Sequence, residues 1–270
     1  MRTHVEKPPP VARPWTGARI AGNIVVALWA LTGIGLAWYL ATAWNAELVD
    51  KYGMRFLSGV GTTFTLVGAS LVAGALLSLP VALARLSKNR LVNGVAYAYV
   101  YAFRGTPLLA QVFLVYYGLG QFSDALKAAG LWWFFRDAWY CGFFAFTLNT
   151  AAYQAEILRG AIQSVPRGQW EGAQSLGLPR AVTFFRIILP QALIVALRPY
   201  GNEIILMIKG SAVVAIITVY DLFGQARWVF SKTFDFQAYL WAGIMYLIIV
   251  ETLRILWDAL EARLTRHLKR

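Results

Sequence analysis

Residues 164–190 read SVPRGQWEGAQSLGLPRAVTFFRIILP. The stretch mixes small, polar and apolar residues and is long for a connection between two helices. Gly168 to Leu176 reads as a short helix. Gly177 suits the left-handed position that ends a helix, and Pro179 suits the first turn of another. The spacing therefore predicts two short helices with a sharp bend at Gly177. Small residues at Gly172 and Ala173 leave one face nearly bare, with Glu171 beside it. Such a helix either docks into a partner's groove or lies on a membrane leaflet with its apolar side down.

The surroundings decide where this stretch lives. Of the 270 residues, 59% are hydrophobic and only 14% are charged, against roughly 45–50% and about 25% in soluble domains. A soluble globule cannot bury that much apolar surface, so the composition indicates an all-α integral membrane protein. A spanning helix needs roughly 20 apolar residues. Six regions qualify: Ala21 to Trp44, about Leu57 to Ala84, about Val92 to Leu119, about Tyr140 to Gln163, a fifth from near Gln191 past Met207, and about Phe236 to Trp257. The third is interrupted by Arg104-Gly105-Thr106-Pro107. Ser211 to Tyr220 is apolar but too short to span. It reads as a continuation or a re-entrant turn packed against protein.

The formal net charge is +12. The basic residues sit mainly in short segments between apolar runs, so they orient the chain and do not point to nucleic acid. Arg2, Lys7, Arg13 and Arg19 precede the first span; Arg85, Lys88 and Arg90 follow the second. Arg159, Arg167, Arg180 and Arg186 follow the fourth, and Arg254 to Arg270 end the chain. With six spans all of these fall on one side, the cytoplasmic one, and both termini are inside. Residues 1–20, with Pro8-Pro9-Pro10, read as a cytoplasmic tail, either solvated or touching anionic lipid. Ala41-Thr42-Ala43 resembles a signal cleavage site, but the apolar run before it is too long and starts too late. Trp132, Trp133, Trp139 and Tyr140 read as an interfacial aromatic belt. Cys141 is the single cysteine and the histidines, His4 and His267, lie at the two ends. That leaves no intrachain disulfide, no Cys/His or Ser/His/Asp catalysis, and no His-rich metal site.

With these residues in view, the 164–190 stretch resembles the EAA loop of ABC importer permeases, the coupling helix that docks on a cytoplasmic ATPase. The family pattern is Glu-Ala-Ala, three residues, Gly, nine residues, then apolar-x-Leu-Pro. This chain has Glu171-Gly172-Ala173, Gly177 and Ile187-Ile188-Leu189-Pro190, with glycine in place of the first alanine. Phe103-Arg104-Gly105-Thr106-Pro107-Leu108 resembles a motif of polar amino-acid permeases. Phe146 to Tyr153 with Glu156-Ile157, and Tyr200 to Met207, are similar to the histidine, basic amino-acid and opine group. The resemblance covers roughly Leu57 to Leu264. It implies the type I importer permease fold over 57–264, with 21–44 as an additional helix that five-span members lack. It implies an ATPase dimer, a second homologous permease and an extracytoplasmic solute-binding protein as partners, in a bacterial inner membrane. No Gly-x-x-x-x-Gly-Lys-[Ser/Thr] loop occurs. ATP and Mg²⁺ therefore belong to the partner, and this chain needs no cofactor.

Ionisable residues inside spans suggest function. Arg104, beside helix-breaking Gly105 and Pro107, lines a pathway or pins a structural kink. Asn149, Tyr153, Glu156 and Gly160 share one face of the fourth span. Glu156 meets a cationic cargo group, forms an inner gate, or pairs with Arg159. On the fifth span Arg198, Asn202 and Glu203 lie close together, with Pro199 expected to bend the helix. Glu203 reads as an amino-group receptor, or as the neutraliser of Arg104 or Lys209. Glu251 and Arg254, three apart, read as a local ion pair. The competing functional classes are a stand-alone channel or secondary transporter, and a membrane-embedded enzyme. Neither gives the 164–190 stretch a task.

Overall fold

The computed structural model describes residues 15–266. The N-terminal Pro8-Pro9-Pro10 tail and the last four residues lie outside them. Twelve α-helices occur in chain order among the described residues. They are α1 (Gly17–Thr42), α2 (Ala46–Arg85), α3 (Arg90–Gly105), α4 (Leu108–Phe113), α5 (Ser123–Ala128), α6 (Trp132–Phe135), α7 (Ala138–Ser164), α8 (Arg167–Ser175), α9 (Arg180–Val182), α10 (Leu189–Gly210), α11 (Leu222–Thr233) and α12 (Gln237–Leu264). A π-helical turn, Leu114–Gly118, extends α4; another, Thr183–Ile188, joins α9 to α10; a 3-10 turn, Ser211–Ile217, extends α10.

Two compact units divide the chain at Lys51 and Tyr52. In the first, α1 is apolar along its whole length and buries none of its residues. Thr16 caps its start by accepting from the Arg19 N–H.

The second unit holds the rest. α1, α2, Arg180–Ile217 and α12 are each long and apolar enough to cross a bilayer. α3 and α4, through Gly118, make a fifth candidate together, bent by 105° at the break. The sixth expected region is α7. At 27 residues it is long enough to cross, but it is more polar than the other long spans. Its position explains this. α7 packs against α3, α4 and α10 and buries thirteen of its residues. It is more enclosed by protein than the other long spans, so it tolerates Asn149, Thr150 and Gln154.

The core has two apolar clusters. Leu66, Val112, Phe146, Met207 and Ile217 fill one. Ala82, Ala155, Ala161, Ala192 and Ala196 dominate the other, toward the Ser164 end of α7. Small side chains let helix backbones approach closely there. Between the clusters lies a polar layer. The Thr150 hydroxyl donates to Glu203 Oε1 (2.9 Å) and accepts from Gln154 Nε2 (3.0 Å), which also reaches the Leu71 carbonyl. Gly74 makes room: a Cβ there would stand 2.5 Å from Thr150 Cγ2.

Ser211 to Ile217 continues the fifth span, the first of its two expected forms, and ends at Thr218 in the left-handed region (φ 66°). The helix that follows, α11, has no counterpart among the elements expected from the sequence. Asp221, fully buried, caps it by accepting from the Gly224 N–H (2.8 Å). Its other oxygen accepts from the Tyr246 hydroxyl on α12 (3.0 Å). Thr63 on α2 accepts from the Leu222 N–H (3.1 Å). Both α2 and α12 thus meet the start of α11.

Candidate functional site: the broken span, its cavities and the exposed helix

The 164–190 stretch folds as one short helix and the start of a span. α8 ends as the glycine predicts. Gly177 has φ +69°, the Leu178 N–H donates to the Ala173 carbonyl (3.1 Å), and the Gly177 N–H donates to the Gln174 carbonyl (2.9 Å). These two bonds satisfy carbonyls that a helix end otherwise leaves open. Two expectations need correction. The second short helix does not stand alone. α9 runs through the π turn into α10, and Pro179 precedes its first turn. The π turn shifts the hydrogen-bond ladder just before Pro190, where an N–H is missing. The bare face also differs. Ala173 is buried (3% exposed) and Trp170 packs on the alanine-rich cluster, because the two are three apart and share the inward side. Glu171, Gly172 and Gly177 are exposed. Leu176, which sequence reasoning passed over, is 79% exposed beside them.

The break in the third region is held open by amides. Gln111 Nε2 donates to the carbonyls of Phe103 (2.8 Å) and Thr106 (3.1 Å) and lies 2.9 Å from the Thr106 hydroxyl. Asn149 Nδ2 donates to Phe103 O (3.1 Å) and Gln111 Oε1 (2.9 Å). A helix broken inside a membrane leaves carbonyls that must find donors, and these two side chains supply them. Asn149 is thus a brace behind the site. Gln111 does most of the bracing; an amide four residues past Pro107 was the available signal.

Two cavities flank the break. One, about 410 Å³, is lined by Arg104, Tyr153, Glu156, Gly160 and Pro199 among others. The second, about 330 Å³, is lined by Arg85, Tyr97, Tyr101, Arg104 and Glu156 among others. Arg104 lies over the Tyr153 ring, 5.1 Å from its centroid. The Tyr153 hydroxyl donates to the Arg104 carbonyl (3.4 Å).

Glu156 pairs with Arg159, as one of its readings held (2.7 Å). It also pairs with Arg85 from the end of α2 (3.0 Å), which the sequence did not suggest. Arg85 Nη1 in turn donates to Asn93 Oδ1 (2.6 Å), and its guanidinium lies over the Tyr97 ring. The clamp ties α2, α3 and α7.

The fifth-span cluster separates. Glu203 points into the polar layer and is buried; among the described residues it forms no ion pair with Arg104 or Lys209. Asn202 faces the other way, into a cleft of about 260 Å³ with Arg198, Trp257 and Glu261. There Arg198 pairs with Glu261 (2.6 Å). Pro199 lies inside α10 without ending it. Glu251 and Arg254 pair as expected, and Asp258 joins them. Among the described residues no group of three His, Cys, Asp or Glu side chains is placed to hold a metal ion.

Residues 70–270 match the family described as the binding-protein-dependent transport system inner membrane component. This chain belongs to that family. It is therefore a multi-pass transport subunit of the ABC permease type. The nopaline transport system permease protein NocM of Agrobacterium fabrum is 44% identical over 226 residues, 83% of this chain and 94% of that protein. The arginine ABC transporter permease protein ArtM of Haemophilus influenzae is 36% identical over 80% of this chain and 95% of its own. The crystal structure of an amino acid ABC transporter with histidines contains a chain 35% identical, with a TM-score of 0.72 over 81% of this chain and 98% of that one. These matches agree with the type I importer permease fold that the residue motifs implied.

Proposed function

We propose that this permease carries a polar amino acid, basic or an opine, inward by alternating access driven by a partner ATPase dimer. The carrying observation is α8. It leads directly from the central helix α7 and ends in a fixed bend that opens into the fifth span. Its outward side presents Glu171, Gly172 and Leu176, while Trp170 and Ala173 anchor it. A rigid lever with an open face suits a dock that must transmit motion. ATP and Mg²⁺ are held by the ATPase, and this chain supplies no catalytic group.

The remaining partners in this reading are a second homologous permease of different sequence, an extracytoplasmic binding protein and bilayer lipid. The cavities beside Arg104, Tyr153 and Glu156 form the cargo path. Asn149 and Glu203 shape it from behind, and Asn202 serves the α10–α12 cleft. Residues 57–264 make the transporting unit, 21–44 an added span and 1–20 a tail. The basic segments support an orientation with both termini and α8 on the cytoplasmic side of a bacterial inner membrane.

The test is Gly177→Arg, purified from native membranes. No neighbouring atom lies within 4 Å of a Cβ at Gly177, so the substitution costs only about 1–2 kcal/mol of backbone strain and the chain still inserts. The expected result is loss of the co-purifying ATPase. Undiminished co-purification would contradict the docking assignment.

A further inference from the structure

Arg104 lines both cavities at the broken span. Among the described residues no carboxylate lies within ion-pair distance of it, and its guanidinium rests on the Tyr153 ring. Glu156 is the one acid in either lining, and both of its oxygens are already engaged. Oε1 accepts from Arg85 and Arg159, and Oε2 accepts from Arg159 twice. Glu203, the nearby acid of α10, accepts from Thr150 and lines neither cavity; it senses the charge of Arg104 but forms no ion pair with it. The two linings together thus set two guanidiniums, Arg85 and Arg104, against one carboxylate that is already occupied. In a low-dielectric surround such an excess attracts an anion strongly, and a guanidinium fork matches a carboxylate in two bonds.

We infer that the paired cavities form an anion subsite in which Arg104 receives a carboxylate of the cargo. This rests on the cavities being the cargo path. It reverses the expectation that Glu156 receives the cargo's cation, because Arg85 and Arg159 already hold that carboxylate. It also ranks cargo classes. An amino acid conjugated to a second carboxylic acid, the chemistry of an opine, suits the subsite better than a simple basic amino acid. The surplus cation of the latter meets Arg85 and Arg104 in the linings.

The experiment uses the intact complex purified from native membranes into nanodiscs, without the binding protein. Equilibrium binding is measured for octopine, arginine and agmatine, which is arginine without its carboxylate. The expected order of affinity is octopine, arginine, agmatine. Arg104→Gln weakens octopine and arginine by about 10- to 100-fold, the loss of a charge-assisted pair, and does not weaken agmatine, which loses only a like charge. Arg104→Lys keeps the charge but loses the fork, and falls between. Thermal stability of both variants is compared with the parent, so that misfolding is separated from lost recognition. Agmatine binding the parent as tightly as arginine overturns the inference, as does no binding of octopine or arginine to the parent. So do unchanged affinities in a stable Arg104→Gln complex. A separate variant tests the underlying reading. Gly160→Trp fills the larger cavity, where no atom lies within 4 Å of a Cβ. If it transports at the parent rate in proteoliposomes, the cavity is not the cargo path, whatever Arg104 binds.

Discussion

Glu156→Gln separates a structural clamp from a cargo contact. The side chain is 13% exposed, and its two partners, Arg85 and Arg159, are 14% and 26% exposed. The substitution keeps the shape and one acceptor oxygen but removes the only charge that balances two guanidiniums. Breaking one side of a fully buried pair costs about 3–5 kcal/mol, whereas an exposed pair is worth at most about 1 kcal/mol. The clamp lies between these limits, because water reaches Arg159. A cost of about 2–3 kcal/mol follows. For a domain of this size that lowers the unfolding temperature by roughly 4–12 °C.

The assay is thermal unfolding of the detergent-purified complex at a fixed scan rate, since heat unfolding of such proteins is often irreversible. The double variant Glu156→Gln with Arg159→Gln removes one orphaned cation and should recover part of the loss. An apparent unfolding temperature within a degree of the parent, together with lost binding of arginine, would refute the clamp. It would return Glu156 to the role of a cation receptor.

Three further outcomes follow from the packing. Gln111→Ala orphans the Thr106 carbonyl and weakens the brace at Phe103, so it should cost about 1–3 kcal/mol; Asn149→Ala should cost less, and the double variant little more than Gln111→Ala alone, as thermal stability will read. Gly201→Ala drives a methyl into the Trp257 ring, which donates to the Leu197 carbonyl at 2.9 Å. The expected loss is about 1–3 kcal/mol, with Trp257→Phe in the same chain restoring part of it. Gly74→Val should close the contact with Thr150 and disturb the polar layer at Glu203, lowering both stability and uptake; normal uptake would show that α2 and α7 can move apart there.

What the sequence revealed depended on whether the physics was local. The end of α8 was legible because a left-handed residue at a helix terminus calls for glycine, and Gly177 stands there with φ +69°. The i, i+3 pairs Glu156–Arg159 and Glu251–Arg254 were legible because helix geometry alone brings them together. The reach of Arg85 to Glu156 was not. The two residues are 71 apart in the chain, and nothing in either neighbourhood encodes their meeting. The inward turn of Ala173 was missed for a related reason. A small residue suits an open face and a close internal contact equally, and only the neighbouring Trp170 decides between them.

The fourth span shows how this ambiguity bears on function. Judged against lipid, α7 is a poor membrane helix, and its polar residues look like a liability. Judged against its neighbours, each has a structural task. Asn149 braces the break in the third region, Thr150 and Gln154 build the layer that holds Glu203, and Glu156 balances two arginines. Once those tasks are assigned, the acids of the cavity region are spent on the protein itself. Arg104 is then left as the group with charge to offer, and that is the ground on which we propose a carboxylate of the cargo, and not its cationic end, as the feature met there.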